Sequence, residues 1–194
     1  MPKGSGAGKF FLGLILGLIL VPIAVFAYLR FGHLPVAVAD QPIPFERQLT
    51  HTALDARIDR EAPKDSPFGP SEDAFMGGAR EYMEHCAFCH GTPSQDAHVG
   101  RLMYPHAPQL FKSHRAGVTG VSDDPVGETY WKVANGIRLT GMPAFKDHLS
   151  DIQIWQVSLL LKNADQPFPD PVAKILAAHP AADHDDDHDH SAAK

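Results

Sequence analysis

Apolar residues run without a charge from Phe10 to Leu29, about the length needed to cross a bilayer as a helix, with Lys3 and Lys9 before the run and Arg30 after it. The pattern predicts a transmembrane helix over residues 10–30 behind a cytoplasmic N-terminus of residues 1–9. A secretory signal has a shorter apolar region with a small-residue cleavage site close behind it. Here the nearest such site, Ala37-Val38-Ala39, follows only after Arg30, His33 and Pro35, which favours a retained anchor over a cleaved signal. Over residues 31–70 the pattern changes. Pro35, Pro42, Pro44, Pro63, Pro67 and Pro70 each fix their own φ and push the preceding residue away from helix, so this stretch reads as a tether. Inside it, Leu49, Leu54 and Ile58 recur at roughly helical spacing between Glu46 and Glu61, the mark either of one short amphipathic helix or of a solvated segment.

A third pattern starts at Ser71, a predicted N-cap followed by Glu72 and Asp73, whose charges suit the first turn of a helix. Phe75, Ala79, Tyr82 and Met83 then recur at spacings of three and four, predicting a helix to about His85 with that face buried. From Gly91 to Asp124 isolated apolar residues are scattered among Gly, Pro, His and Ser, as in a segment that wraps something large and flat. Glu128 to Asn135 reads as a short helix ended by Gly136, with Tyr130, Trp131 and Ala134 apolar. Ser150 and Gln153 form a capping-box pattern, and Ile152, Trp155, Leu159 and Leu160 mark an apolar face running to Lys162 before Pro167, Pro169 and Pro171. No strand-period alternation of useful length occurs, so the domain over residues 71–165 is predicted to be predominantly α.

Residues 166–194 read as a Pro-containing and then His/Asp-rich disordered tail. There His179, His184, His188 and His190 alternate with aspartates, a composition that binds divalent metal weakly at best. The chain's 194 residues leave room for one ordinary domain plus such appendages. Its formal net charge of -6, much of it in the tail at Asp183, Asp185, Asp186, Asp187 and Asp189, argues against a nucleic-acid partner.

Only Cys86 and Cys89 are cysteines, so no disulfide framework staples the fold and their purpose is local. They stand in Cys86-Ala87-Phe88-Cys89-His90, the C-x-x-C-H pattern of covalent c-type haem attachment. Two thiols on one compact turn reach the two vinyl groups of a single porphyrin, and the adjoining imidazole comes beneath the iron. Zinc would need two further ligands from a loop without zinc-finger spacing. A thioredoxin-like redox pair belongs in a βαβ setting, which this α-rich chain lacks. For a second axial ligand the framed candidate is Met142, in Gly141-Met142-Pro143 with Phe145 following, ahead of Met103; Met76 and Met83 fall on the first helix of the domain, where Met83 reads as core. His85, His98, His106 and His114 offer bis-histidine ligation as an alternative, and Tyr130 and Trp131 are candidates to wall the pocket.

Together, Gly78-x-x-x-Tyr82-x-x-x-Cys86-x-x-Cys89-His90-Gly91, then Gly136, Met142-Pro143 and a helix bearing Trp155, resemble the class I cytochromes c over about residues 71–165. The resemblance implies an all-α, class I cytochrome c fold around one covalent haem c, appended here to an N-terminal transmembrane helix. It implies that Gly78 lies where the first and last helices cross, near Trp155 and Tyr82. It also nominates Pro108, in His106-Ala107-Pro108-Gln109-Leu110, as the carbonyl that holds the proximal imidazole, and Leu110 for haem packing. The haem domain would lie on the extracytoplasmic, periplasmic side of the cytoplasmic membrane, the orientation to which Lys3 and Lys9 also point. With His90 and Met142 filling both axial positions, the implied function is electron transfer and not enzymic catalysis. The implied donor is a quinol-oxidising complex or dehydrogenase, and the implied acceptor a terminal oxidase or reductase. A haem-bearing subunit of a larger membrane complex is the main alternative, and an open-site haem enzyme or gas sensor a further one.

Overall fold

The computed structural model describes residues 6–115 and 117–178, and the chain divides into two compact units, residues 1–46 and 47–194. Lys3 and the His/Asp-rich tail lie outside the described residues.

In the first unit, α1 (Gly6–Phe31) contains an 18-residue stretch with a mean hydropathy of 2.8 and has no buried residue. It is long and apolar enough to cross a membrane, a description that an anchor and a secretory signal both meet. After it the chain turns at Asp40, whose carboxylate accepts the backbone N–H groups of Val36 and Ala37, each at 2.9 Å.

The second unit opens at the second residue of α2 (Glu46–Glu61), a full helix in which Ile58 is buried while Leu49 is exposed. Trp131 donates its indole N–H to Glu61 at 3.0 Å, and Gly127 lies so close to the Pro63 carbonyl that no side chain fits between them. The second half of the stretch read as a tether is therefore packed onto its own domain, because one buried apolar residue and one long-range hydrogen bond hold it there.

In α3 (Glu72–His85) the Ser71 hydroxyl caps the helix, accepting the Ala74 N–H at 3.2 Å. Its last residues lead into the single turn α4 (Ala87–His90), followed by α5 (His98–Arg101) and a small antiparallel pair, β1 (Ser113–Arg115) with β2 (Val118–Thr119). Helix α6 (Val126–Asn135) begins two residues before the predicted start, and α7 (Asp151–Lys162) carries the complete Ser150/Gln153 capping box.

Gly78 of α3 sits against the backbone of Gln156 in α7, so these two helices cross at near contact distance. Around that crossing Ala79, Tyr82, Val157, Leu160 and Leu161 form the main core. A second cluster joins α6 to α7 through Val133, Ala134, Leu149 and Ile154. Contrary to the pattern-based reading, Ile152 is 60 % exposed, and the buried face of α7 instead takes in Ile154, Trp155 and every residue from Val157 to Leu161. That face is wide because α3 and α6 both pack on α7.

The clearest departure follows residue 165. Where a disordered tail was expected, α8 (Asp170–Ala177) packs on α3 with Val172 and Leu176 buried in the main core. The prolines that read as stops are also a start, since proline suits the first turn of a helix, where its missing N–H has no intrahelical acceptor to lose.

Candidate functional site

Helix α3 ends on Cys86, whose N–H still bonds the Tyr82 carbonyl at 2.8 Å; from there the chain makes one more turn, with Cys89 N–H and His90 N–H both reaching the Cys86 carbonyl, at 3.1 and 2.9 Å. Gly91 closes the turn at φ 73°, in a crowded corner where a side chain would strike the Gln109 amide and the Gln95 carbonyl. Two thiols and an imidazole are thus carried on five consecutive residues in a fixed helical turn, and the thiols are not paired with each other.

Burial pushes the Cys86 thiol up to about 12, with the neighbouring Cys89 and Glu81 adding to the rise, and burial also raises Cys89. Both sulfurs are therefore neutral thiols at ordinary pH. Burial lowers His90, a shift partly countered by its hydrogen bond to Pro108. That bond joins His90 Nδ1 to the Pro108 carbonyl at 2.8 Å. A carbonyl has no proton to give, so Nδ1 carries the hydrogen and Nε2 keeps the lone pair that a metal would take.

The irregular segment is knitted to this turn. Leu110 N–H bonds the His90 carbonyl at 3.2 Å, Ala107 N–H bonds the Gly100 carbonyl at 2.9 Å, and Gly100 itself presses on the Cys89 carbonyl. Gln109 accepts the Ala97 N–H at 2.7 Å and directs its amide N–H groups at the carbonyls of Cys89 and Ala107, each at 3.5 Å. Sequence reasoning passed over Gln109, because a lone amide in a Gly/Pro-rich loop leaves no periodic signal. Leu110 is buried in the main core beside Tyr82 and Ala87.

Met142 lies partly buried against the α6/α7 cluster, together with Tyr130 and Phe145. Its loop is pinned at both ends: Ile137 N–H bonds the Met142 carbonyl at 3.2 Å, Met142 N–H bonds the Thr140 hydroxyl at 3.1 Å, and Phe145 N–H bonds the Val133 carbonyl at 3.1 Å. Gly136, at φ 65°, lets the end of α6 touch this loop, and Met103 packs its thioether on Gly141. Thr140 is the second residue that the sequence reading missed, although it stands two places before Met142.

Tyr130 stacks on Trp155 with ring centroids 4.1 Å apart and donates to Asp151 at 2.9 Å. Trp131, buried, holds Glu61, and this bond lowers the Glu61 carboxyl from its ordinary value. Of the four histidines offered as alternative ligands, His98 and His106 are exposed, His114 bonds the Gly120 carbonyl, and His85 faces Glu81.

The family profile described as cytochrome c oxidase, cbb3-type, subunit III, matches residues 73–159, the stretch from the first turn of α3 into the crossing helix α7. Residues 73–159 form a class I c-type cytochrome domain. No curated protein and no solved structure matches the chain. Cytochrome c domains imply covalent haem c and haem-based electron transfer, are typically carriers and not enzymes, and are extracytoplasmic. The residues present fit that group: the turn offers two neutral thiols for thioether formation and an imidazole whose Nδ1–H is already held, leaving Nε2 to bind iron.

Proposed function

We propose that this cytochrome domain transfers electrons through one haem c joined to Cys86 and Cys89 and ligated by His90 and Met142. The haem, when bound, supplies the one-electron chemistry. The chain's own residues hold it and set its surroundings. Pro108 fixes the His90 ring and strengthens its donation to iron. Thr140 and Gly136 shape the Met142 loop, whose neutral thioether favours a raised potential. Leu110, Tyr130, Trp131 and Phe145 provide apolar surroundings, the last three from α6 and the loop after it. With His90 and Met142 both holding the iron, no coordination site would be left open for a substrate, which would suit a carrier better than an enzyme. The observation that carries this reading is the His90 Nδ1 contact with Pro108 at 2.8 Å, since it orients a metal ligand within the same turn as both thiols.

In this reading residues 10–30 anchor the protein in the cytoplasmic membrane and the domain works on the periplasmic side. It takes electrons from a quinol-oxidising complex or a dehydrogenase and passes them to a terminal oxidase or reductase. A second reading, a haem-bearing subunit of a larger respiratory complex, draws support from the description of the matching family and from the packing of α2 on its domain, which shortens the free tether. Detergent solubilisation separates the two: a carrier migrates alone, whereas a subunit co-purifies at fixed stoichiometry.

The pyridine haemochrome of the purified chain should count one covalent haem, and the C86A/C89A variant none. Oxidised wild type should show the weak near-infrared sulfur-to-iron band, and M142A should lose it and bind carbon monoxide rapidly when reduced. A band that survives in M142A excludes Met142 as the ligand.

A further inference from the structure

Outside the haem-binding turn, the end of α3 brings together side chains that the electron-transfer reading does not use. Glu81, Glu84 and His85 place one ligand atom each within 4.8 Å of one another. Their spacing of three and four residues stacks them on one helical face. His85 Nε2 lies 3.6 Å from Glu81 Oε2 and 3.9 Å from Glu84 Oε1, just too far for hydrogen bonds. In a tetrahedral zinc site with bonds of about 2.1 Å, neighbouring donors stand about 3.4 Å apart, so both separations from His85, 3.6 and 3.9 Å, are close to that spacing, while the two carboxylates stand within 4.8 Å of each other.

The loop before α7 brings a second imidazole alongside this group of three. His148 sets its ring edge-on to that of His85, with centroids 5.0 Å apart and planes at 85°, and its backbone N–H is tied to the Phe145 carbonyl at 2.8 Å. Two imidazoles with two carboxylates suit a borderline cation of the zinc class, whereas a purely acidic cluster suits calcium or magnesium. Glu81 is also oriented from behind. Gln153 donates to its Oε1 at 2.6 Å, which leaves Oε2 directed at His85. Among the described residues the ion pairs of Glu81 and Glu84 are with His85 alone, so no lysine or arginine neutralises the two carboxylates.

We propose that Glu81, Glu84, His85 and His148 bind one divalent transition-metal ion of the zinc class, clamping the end of α3 to the loop that precedes α7. The ion takes one oxygen from each glutamate and one nitrogen from each imidazole. Glu84, the most exposed of the three on α3, closes the site by a side-chain rotation.

Zinc titration by calorimetry tests this on the full-length holoprotein carrying His179→Ala, His184→Ala, His188→Ala and His190→Ala, which removes the competing imidazoles near the C-terminus. One zinc ion per chain is expected, with a zinc-dependent rise in Tm. His85→Ala and Glu81→Gln should each weaken binding at least tenfold and His148→Ala at least fivefold, each with unchanged circular dichroism and haem spectrum. A parent that takes up no zinc, or a His85→Ala variant that binds as tightly as the parent, overturns the proposal.

Discussion

Tyr82 does two jobs with one side chain. Its ring is fully buried and meets Phe111 edge-on at 5.0 Å, while its hydroxyl donates to the Gly91 carbonyl at 2.7 Å, tying α3 to the residue after His90. Burial raises the phenol above its ordinary range, so this donor keeps its proton at every working pH. In Tyr82→Phe the ring remains and the buried Gly91 carbonyl loses its partner, a cost of about 1–2 kcal/mol. Thermal unfolding followed by circular dichroism should show Tm lowered by roughly 4–10 °C, with the haem spectrum retained. The chemistry of the five-residue turn was legible before any fold was known, because the thiols and the imidazole need only adjacency along the chain. The Tyr82 bond was not, since its acceptor is a main-chain carbonyl that carries no sequence signature.

Between elements, the crossing of α3 and α7 depends on which of two adjacent glycines is touched. A Cβ on Gly78 would collide with the Gln156 carbonyl oxygen, a backbone atom that cannot move aside without parting the helices. A Cβ on Gly77 would meet only the far end of the Gln156 side chain. Gly78→Ala should therefore cost about 3 kcal/mol through overpacking. Gly77→Ala should be near neutral, because the gain in helix propensity of about 1 kcal/mol offsets the displaced side chain. Chemical denaturation of the two variants reads the contrast, and equal losses would show that the crossing does not rest on Gly78. The ends of both helices were predictable because the Ser71 cap and the Ser150/Gln153 box act over three residues. The family resemblance had already put Gly78 at the crossing, but that it meets the Gln156 backbone while Gly77 meets only the Gln156 side chain became evident only once α7 was in place.

Across the whole molecule, the core is larger than its periodic segments suggested. Leu176, in the stretch read as a tail, is 2 % exposed, whereas Ile152, read as core, is 60 % exposed. Leu176→Ala should destabilise the protein by about 2–4 kcal/mol, and Ile152→Ala by less than about 0.5 kcal/mol, as measured by urea unfolding. The reverse order would mean that α8 does not belong to the fold. By itself the sequence determined what is local: the apolar N-terminal helix, the helix caps and the spacing of Cys86, Cys89 and His90, because these depend on neighbours within a turn or two. Only the tertiary structure decided that α8 completes the core, that Glu61 reaches Trp131 and that Glu81 is held by Gln153. The two hydrogen bonds join residues 70 and 72 positions apart, and such a chain separation says nothing about contact until the helices have packed.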